Sequence, residues 1–294
     1  MAYRSGFAAI VGRPNVGKST LLNYIVGQKV SIISDKPQTT RNRISGVKHL
    51  PDGQIVFFDT PGIHLAHTHF NQKMVQTALS CIHEVDLVLF VVEPDVVPGE
   101  QDTFILDRLR SIKQPKVLVI NKIDLIKPSL LMPILDGYGK RGGFSEMIPI
   151  SAGTGGNVER LVSIAMALMP EGEPYFPEDV VTDQPVRFLA SEIIREKVVL
   201  KTRHEMPYAV AVSVEEYKED PVKDRVRMQV TLYVEKESQK GILIGAAGGM
   251  LKEIGKAARE ELEGLLGVSI YMELWVKVKK DWSRNNRFLK EMGY

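Results

Sequence analysis

The segment Gly12-Arg13-Pro14-Asn15-Val16-Gly17-Lys18-Ser19 leaves this chain few ways to fold. It follows the apolar run Phe7 to Val11 and precedes Thr20 to Val26, so it stands between an expected strand and an expected helix. Glycines let the backbone curl until successive N–H groups and the helix N-terminus face one point, where the helix dipole adds positive potential. Such a loop receives phosphate. Lys18 then reaches the β- and γ-phosphates of a nucleotide, and Ser19 ligates Mg²⁺. A GxxxxGK[ST] string also arises by chance in turns, and the flanking strand and helix decide for phosphate.

Short apolar runs alternate with amphipathic stretches as far as about Leu168, the rhythm of a βαβ sheet. Strands are expected at Phe7 to Val11, Ile44 to His49, Gln54 to Phe58, Leu87 to Val92, Lys116 to Ile120 and Met147 to Ile150. Helices are expected at Thr20 to Val26, Asn71 to His83, Asp102 to Ser111, Pro128 to Leu135 and Val158 to Met169. Open sheets of this kind bind ligands at the C-terminal ends of their strands. There stand Asp59-Thr60-Pro61-Gly62, Asn121-Lys122-Ile123-Asp124 and Ser151-Ala152-Gly153. Asp59 is expected to hold Mg²⁺ through water, and the Gly62 N–H to sense the γ-phosphate. The Asp124 carboxylate can accept from both guanine N1–H and the exocyclic amine; adenine offers no such pair of donors. Backbone N–H groups at Ser151 and Ala152 suit the guanine O6. In isolation Asp124 could be a loop or cap residue, but four pieces in this order point to a guanine nucleotide, GTP or GDP.

With 294 residues the chain has room for two ordinary domains, and 44% hydrophobic with 25% charged residues is a globular profile. A net charge of +2 implies no polyanion partner by itself. The run from Phe7 is too short for a signal peptide or a membrane span, which leads to the expectation of a cytosolic protein. Cys81 is the only cysteine, so no intramolecular disulfide and no cysteine-based zinc cluster can form. His64, His67 and His69 lack a companion carboxylate at metal-binding spacing and are read as solvated switch residues.

These motifs make the first part similar to the TRAFAC class of GTPases. In that class a Thr of the loop after the first helix closes over Mg²⁺ and the γ-phosphate. The resemblance assigns this to Thr40, directly before Arg41 in Pro37-Gln38-Thr39-Thr40-Arg41, with Thr39 in reserve. The expected nucleotide contacts are thus Gly12, Asn15, Val16, Gly17, Lys18, Ser19, Thr20, Asp59, Gly62, Asn121, Lys122, Asp124, Ser151 and Ala152. Ser19, Thr40 and Asp59 are the expected metal set, and Lys18, Thr40, Gly62 and Asn15 the groups acting on the phosphate bond. Ras-like enzymes place Gln after DxxG, whereas this chain has Ile63, which cannot hydrogen-bond water, so slow intrinsic turnover is expected. Asn15 resembles the loop Asn with which potassium-activated GTPases hold K⁺; its other reading is a residue that merely shapes the loop.

Three prolines between Pro170 and Pro177 end the alternating pattern. The division expected is residues 1–170, a linker over 171–182, and a second domain over 183–294. A helix is read at Val186 to Leu200, strands at Tyr208 to Tyr217 and Arg225 to Lys236 joined through Lys218 to Asp224, and a last strand at Val268 to Val278. Between them Gly245-Ala246-Ala247-Gly248 leads into a helix with Leu251, Ile254, Ala258, Leu262 and Leu265 on one stripe. A GxxG turn opening a helix beside a small sheet is similar to the KH fold, whose loop approaches a single-stranded nucleic-acid backbone. Ile242, Leu243 and Ile244 are expected as the groove wall, with Lys252, Lys277 and Lys279 among the sources of charge. Many KH relatives carry a basic residue inside GxxG; this chain has two alanines.

Over nearly its whole length the chain resembles the bacterial Era GTPases. That resemblance implies an α/β P-loop GTPase domain with a mostly parallel sheet, followed by an α+β KH-type RNA-binding domain. It also implies GTP/GDP and Mg²⁺ as ligands, and binding of the 16S rRNA 3′ end during small ribosomal subunit maturation. Weak inner-membrane association is part of the family's description, although the sequence offers no anchor for it. No sustained heptad calls for a dimer, so a monomer is expected. The rival expectation is a constitutive RNA-binding or scaffold protein whose nucleotide site is mainly structural.

Overall fold

The computed structural model describes residues 2–36, 39–65, 68–95, 97–202, 206, 209–220 and 224–294. Pro37, Gln38, His67, Tyr208 and the hairpin tip 221–223, all within the readings above, lie outside the described residues. The chain divides into two units, Met1–Asp183 and Gln184–Tyr294.

In the first unit the elements run β1 (Arg4–Val11), α1 (Lys18–Val26), β2 (Ile44–Leu50), β3 (Gly53–Asp59), α2 (His69–Ile82), β4 (Leu87–Val92), α3 (Glu100–Leu109), β5 (Lys116–Ile120), α4 (Leu131–Gly139), β6 (Glu146–Pro149) and α5 (Val158–Ala167). The sheet order is β2-β3-β1-β4-β5-β6, with β2 antiparallel to β3 and the other neighbours parallel. Leu87 to Val92 is buried at every position, as a continuous apolar run in a sheet covered on both faces should be. This order brings the C-terminal ends of β1, β3, β4 and β5 to one rim, where the motifs sit. α2 starts at Thr68, whose hydroxyl accepts the Asn71 N–H at 3.2 Å.

Cys81, on α2, is buried within the core, and burial pushes its thiol up to about 11. Native protein should therefore react with a thiol reagent at neutral pH at least about a hundredfold slower than a free cysteine, and at the ordinary rate once unfolded. Timed labelling with and without denaturant reads this directly.

The stretch expected as a linker is stitched along the β2 side of the sheet, and the first unit runs on through it to Asp183. Val47 N–H donates to the Val181 carbonyl at 2.8 Å, His49 Nε2 lies 2.8 Å from the Val180 carbonyl, and Ser45 Oγ donates to Asp183 Oδ1. The Gln54 amide, fully buried, donates to the Phe176 carbonyl at 2.8 Å and accepts from the Tyr175 and Phe176 N–H groups. Prolines ended the helix and strand pattern, as read, but did not free the chain.

The second unit comprises α6 (Val186–Lys201), β7 (Ala211–Asp220), β8 (Arg225–Val234), α7 (Glu237–Ile244), α8 (Gly249–Leu266), β9 (Ser269–Val278) and α9 (Asn286–Glu291). Its sheet runs β7-β8-β9, antiparallel then parallel, and leaves β9 at an edge. One face packs Val226, Met228, Val230, Leu232 and Val234 against Ile194, Leu243, Ile254 and Leu262. α7 is absent from the sequence reading, which takes Ile242, Leu243 and Ile244 only as groove wall. Its start is secured by the Gln239 side chain, which accepts from the Glu235 and Lys236 N–H groups at 2.9 and 3.0 Å.

Candidate functional site

The loop Gly12–Gly17 joins β1 to α1 and turns into the helix at Gly17, whose φ of 96° lies in the left-handed region. A Cβ added there would also meet the Asn121 side-chain amide. Gly17→Ala should cost about 1–2 kcal/mol from its backbone angle alone. Thermal melting should fall accordingly, and titration with a fluorescent guanine nucleotide should show affinity down by about tenfold or more, because the loop's donors no longer converge.

Lys18 is only 6% exposed, and its Nζ donates to the Gly12 and Arg13 carbonyls at 3.2 and 2.9 Å. Burial pushes its ammonium down to about 8, partly opposed by the Asp59 carboxylate. An anion placed against it relieves that desolvation cost. Ser19 Oγ donates to Asp59 Oδ2 at 2.6 Å and lies 3.0 Å from Thr40 Oγ1, which is itself 3.3 Å from Asp59 Oδ2. Ser31 Oγ donates to the same oxygen at 2.8 Å. Burial raises the Asp59 pKa, and Lys18 and the three hydroxyls oppose the rise. The other oxygen, Asp59 Oδ1, is buried with no hydrogen-bond partner among the described residues. Two hydroxyls and a carboxylate with an unused oxygen, beside a buried lysine, form a hard-oxygen donor set that fits Mg²⁺ on a phosphate.

Asn15, Lys18, Ser19, Thr20, Thr40 and Gly62 all line one cavity of about 740 Å³ over the loop. Asn15 stands at φ 67° with its Nδ2 donating to the Asp35 carbonyl at 2.6 Å, tying the loop to the segment that leads to Thr40. A Cβ on Gly62 would come within 2.6 Å of Pro14, so the DxxG turn lies directly against the phosphate loop. Ile63 is fully buried in the core. Of the base-reading motifs, Lys122 lines this cavity, whereas Asn121, Asp124, Ser151 and Ala152 are outside its lining. Asn121 Nδ2 donates to the Val16 carbonyl at 2.7 Å, and its Oδ1 accepts the Ala152 N–H at 2.8 Å, so one side chain bolts the phosphate loop to the Ser151-Ala152 turn. Lys122 donates to the Asn15 carbonyl at 2.8 Å and pairs with Glu93. Asp124 is exposed in a single 3₁₀ turn, Ile123–Leu125.

Three supports were not found from sequence. Arg13 pairs with Glu93 at 2.7 Å and Asp95 at 2.6 Å, and its Nε lies 3.5 Å from Asp102. Tyr138 on α4 donates to buried Asp102 at 3.1 Å. Ser31 completes the shell of Asp59. Among the described residues no group of three His, Cys, Asp or Glu could hold a metal, and His64 sits with its Nδ1 2.9 Å from the Gly62 carbonyl.

In the second unit the GxxG turn takes up left-handed backbone at Gly245, Ala247 and Gly248, with φ of 71°, 47° and 77°. Ala247 carries the strain of a non-glycine residue in that region. Beside the turn α8 and β9 enclose a groove of about 490 Å³, lined by Gly248, Leu251, Lys252, Gly255, Arg259 and Leu274 among others. As an edge strand, β9 offers unpaired backbone groups there. One expectation is corrected. Leu243 is fully buried in the core rather than in the groove wall, whereas Ile242 is exposed. Lys279 Nζ lies 3.6 Å from the Phe288 ring centroid, a cation–π contact. Lys277 is exposed on the opposite face of β9, and Ile244 sits half-buried at the end of α7.

Residues 7–122 match the 50S ribosome-binding GTPase family, and residues 205–283 match the KH domain family. "GTPase Era" of Geobacter metallireducens is 54% identical over 292 residues, covering 99% of this chain and 98% of the relative. The chain belongs to the Era family of GTPases. "GTPase Era" of Geotalea daltonii is 53% identical over the same span. A solved Era in complex with MgGDPNP and nucleotides 1506–1542 of 16S ribosomal RNA superposes with a TM-score of 0.96 at 43% identity, covering 99% of each chain. A variant of Aquifex aeolicus Era bound to GDP·AlF4⁻ gives 0.95 at 43% identity, also over 99% of each chain. The Era assignment confirms the order of P-loop GTPase fold and KH fold inferred from the motifs.

Proposed function

We infer that this chain is a GTP-hydrolysing switch whose KH unit binds the 3′ end of 16S rRNA during assembly of the small ribosomal subunit. The observation that carries the reading is the convergence of Ser19, Thr40 and Asp59, which joins the phosphate loop, the segment before β2 and the DxxG turn at one point. Mg²⁺, held by Ser19, Thr40 and the Asp59 side, would neutralise charge on the β- and γ-phosphates. Lys18 holds the same phosphates, the Gly62 N–H meets the γ-phosphate, and Asn121 with Asp124 fixes the guanine. Loss of the γ-phosphate releases Thr40 and Gly62 together, the change of state that a switch requires.

Because Ile63 is buried in the core, it supplies nothing to the attacking water, which supports slow intrinsic turnover. Asn15 Oδ1 and the Asp35 carbonyl oxygen are the neutral oxygens beside the loop that K⁺ would take, in place of the hydrogen bond that Asn15 Nδ2 donates to that carbonyl. Turnover in KCl should exceed that in NaCl by about tenfold or more. Asn15→Ala should abolish the difference, and equal rates in the wild type would remove the potassium site from the mechanism.

The test of the whole reading is the affinity for a 16S 3′-end oligonucleotide with GDP and with a non-hydrolysable GTP analogue bound. Tighter binding with the analogue is expected, and the coupling must then appear equally in nucleotide affinity. Equal affinity in both states favours the constitutive RNA-binding protein, and no affinity removes the RNA role. No helix among the described residues is long and apolar enough to cross a membrane. A cytoplasmic monomer is the working expectation.

A further inference from the structure

The groove beside the GxxG turn shares one wall residue with a second cavity. Tyr271 lines both: the groove between α8 and β9, and a neighbouring cavity of about 380 Å³ whose other walls are Arg225, Arg227 and Asp220. In the β8-β9 register Tyr271 stands opposite Arg227, and Ser269 opposite Arg225. Strand alternation puts these side chains on the sheet face away from the helices, so Tyr271 occupies the corner where the groove turns around the β9 edge. Tyr271 is 49% exposed, and the Arg227 guanidinium lies 5.8 Å from its ring centroid. Arg227 pairs with Glu273 at 3.4 Å, which steadies its fork near the ring. Among the described residues Arg225, Lys252 and Arg259 form no ion pair, so three exposed cations follow one path from the GxxG turn to the far cavity. Asp220 is the acid lining that path.

A KH loop clamps about four nucleotides. Beyond that clamp, an aromatic ring beside an arginine plane is a stacking platform for a base, and cations on both sides suit its phosphates. We propose that single-stranded RNA held in the groove continues around the β9 edge, with a base outside the clamp stacked on Tyr271 and Arg227 and the flanking phosphates on Arg259 and Arg225. The proposal rests on the reading of the second unit as an RNA-binding module and adds a length-dependent subsite to it.

The full-length protein is titrated with a fluorescent four-nucleotide RNA taken from the 16S 3′ end, and with the same RNA extended to about ten nucleotides at either end. The longer RNA should bind the wild type more tightly. R225A/R227A lies outside the groove and should keep the short-RNA affinity while losing most of the gain from length; Tyr271→Ala should lose it by about tenfold and Tyr271→Phe restore it. The salt dependence for the long RNA should flatten by about 0.7 in log–log slope for each phosphate contact removed. If wild type binds both lengths equally, or if R225A/R227A weakens both lengths alike while melting normally, the subsite does not exist. If wild type binds neither RNA, the RNA-binding reading itself fails, and the subsite with it.

Discussion

Lys18→Ala should leave a folded protein that neither holds nor hydrolyses GTP. The wild-type ammonium is buried between two backbone carbonyls, and burial has pushed it down to about 8. In the free protein that charge is a burden, whereas against a triphosphate it becomes the nearest cation to the bond that breaks. Removing a donor aimed at developing charge in a water-poor site lowers turnover by about 10²–10³. Nucleotide affinity should fall by a similar factor, because a charge-assisted contact to both terminal phosphates disappears. Thermal melting of the nucleotide-free variant should stay close to wild type, since the desolvation burden goes with the side chain. Fluorescent nucleotide titration, single-turnover phosphate release and a melting curve on the same sample separate loss of site from loss of fold. Turnover within tenfold of wild type would show that Lys18 does not face the phosphates.

Asp124→Asn should exchange guanine for xanthine. The carboxylate accepts two hydrogen bonds from the guanine N1–H and exocyclic amine; asparagine presents one acceptor and one donor. With GTP the donor then faces an amine and a buried partner is left unmet, which costs about 10³-fold or more in kcat/KM. Xanthine carries a carbonyl where guanine has its amine, so XTP should become the better substrate. Asp124 lies exposed in its 3₁₀ turn, and the exchange should not disturb folding. Parallel assays of phosphate release from GTP and XTP check the result, and an unchanged preference would take base reading away from this residue.

The phosphate loop, the three motifs at strand ends and the GxxG turn were legible because each is a short, contiguous pattern tied to a strand or helix boundary. What could not be read is long-range. Arg13, Asp102 and Tyr138 are far apart in the chain and meet only after α3 and α4 have packed beside the phosphate loop. Ser31 lies in a stretch with no motif, yet its hydroxyl is closer to Asp59 than that of the expected ligand Thr40. α7 was hidden by Gly241 in its interior, a residue that usually signals a break. The cation–π contact of Lys279 with Phe288 was likewise out of reach, because it forms only where α9 packs.

The stitching of residues 171–183 along β2 also says where this protein can be cut. A fragment ending at Pro170, the boundary suggested by composition, would take the Phe176 carbonyl and the Tyr175 and Phe176 N–H groups away from the Gln54 amide, leaving it His49 alone. It would also bare the outer edge of β2, whose Val47 N–H now donates to Val181, and bare edges recruit other chains. A fragment carried through Asp183 keeps both. The first unit thus ends after these residues, at Asp183, and crystallisation or cell-based truncations of the nucleotide half should be designed to end there.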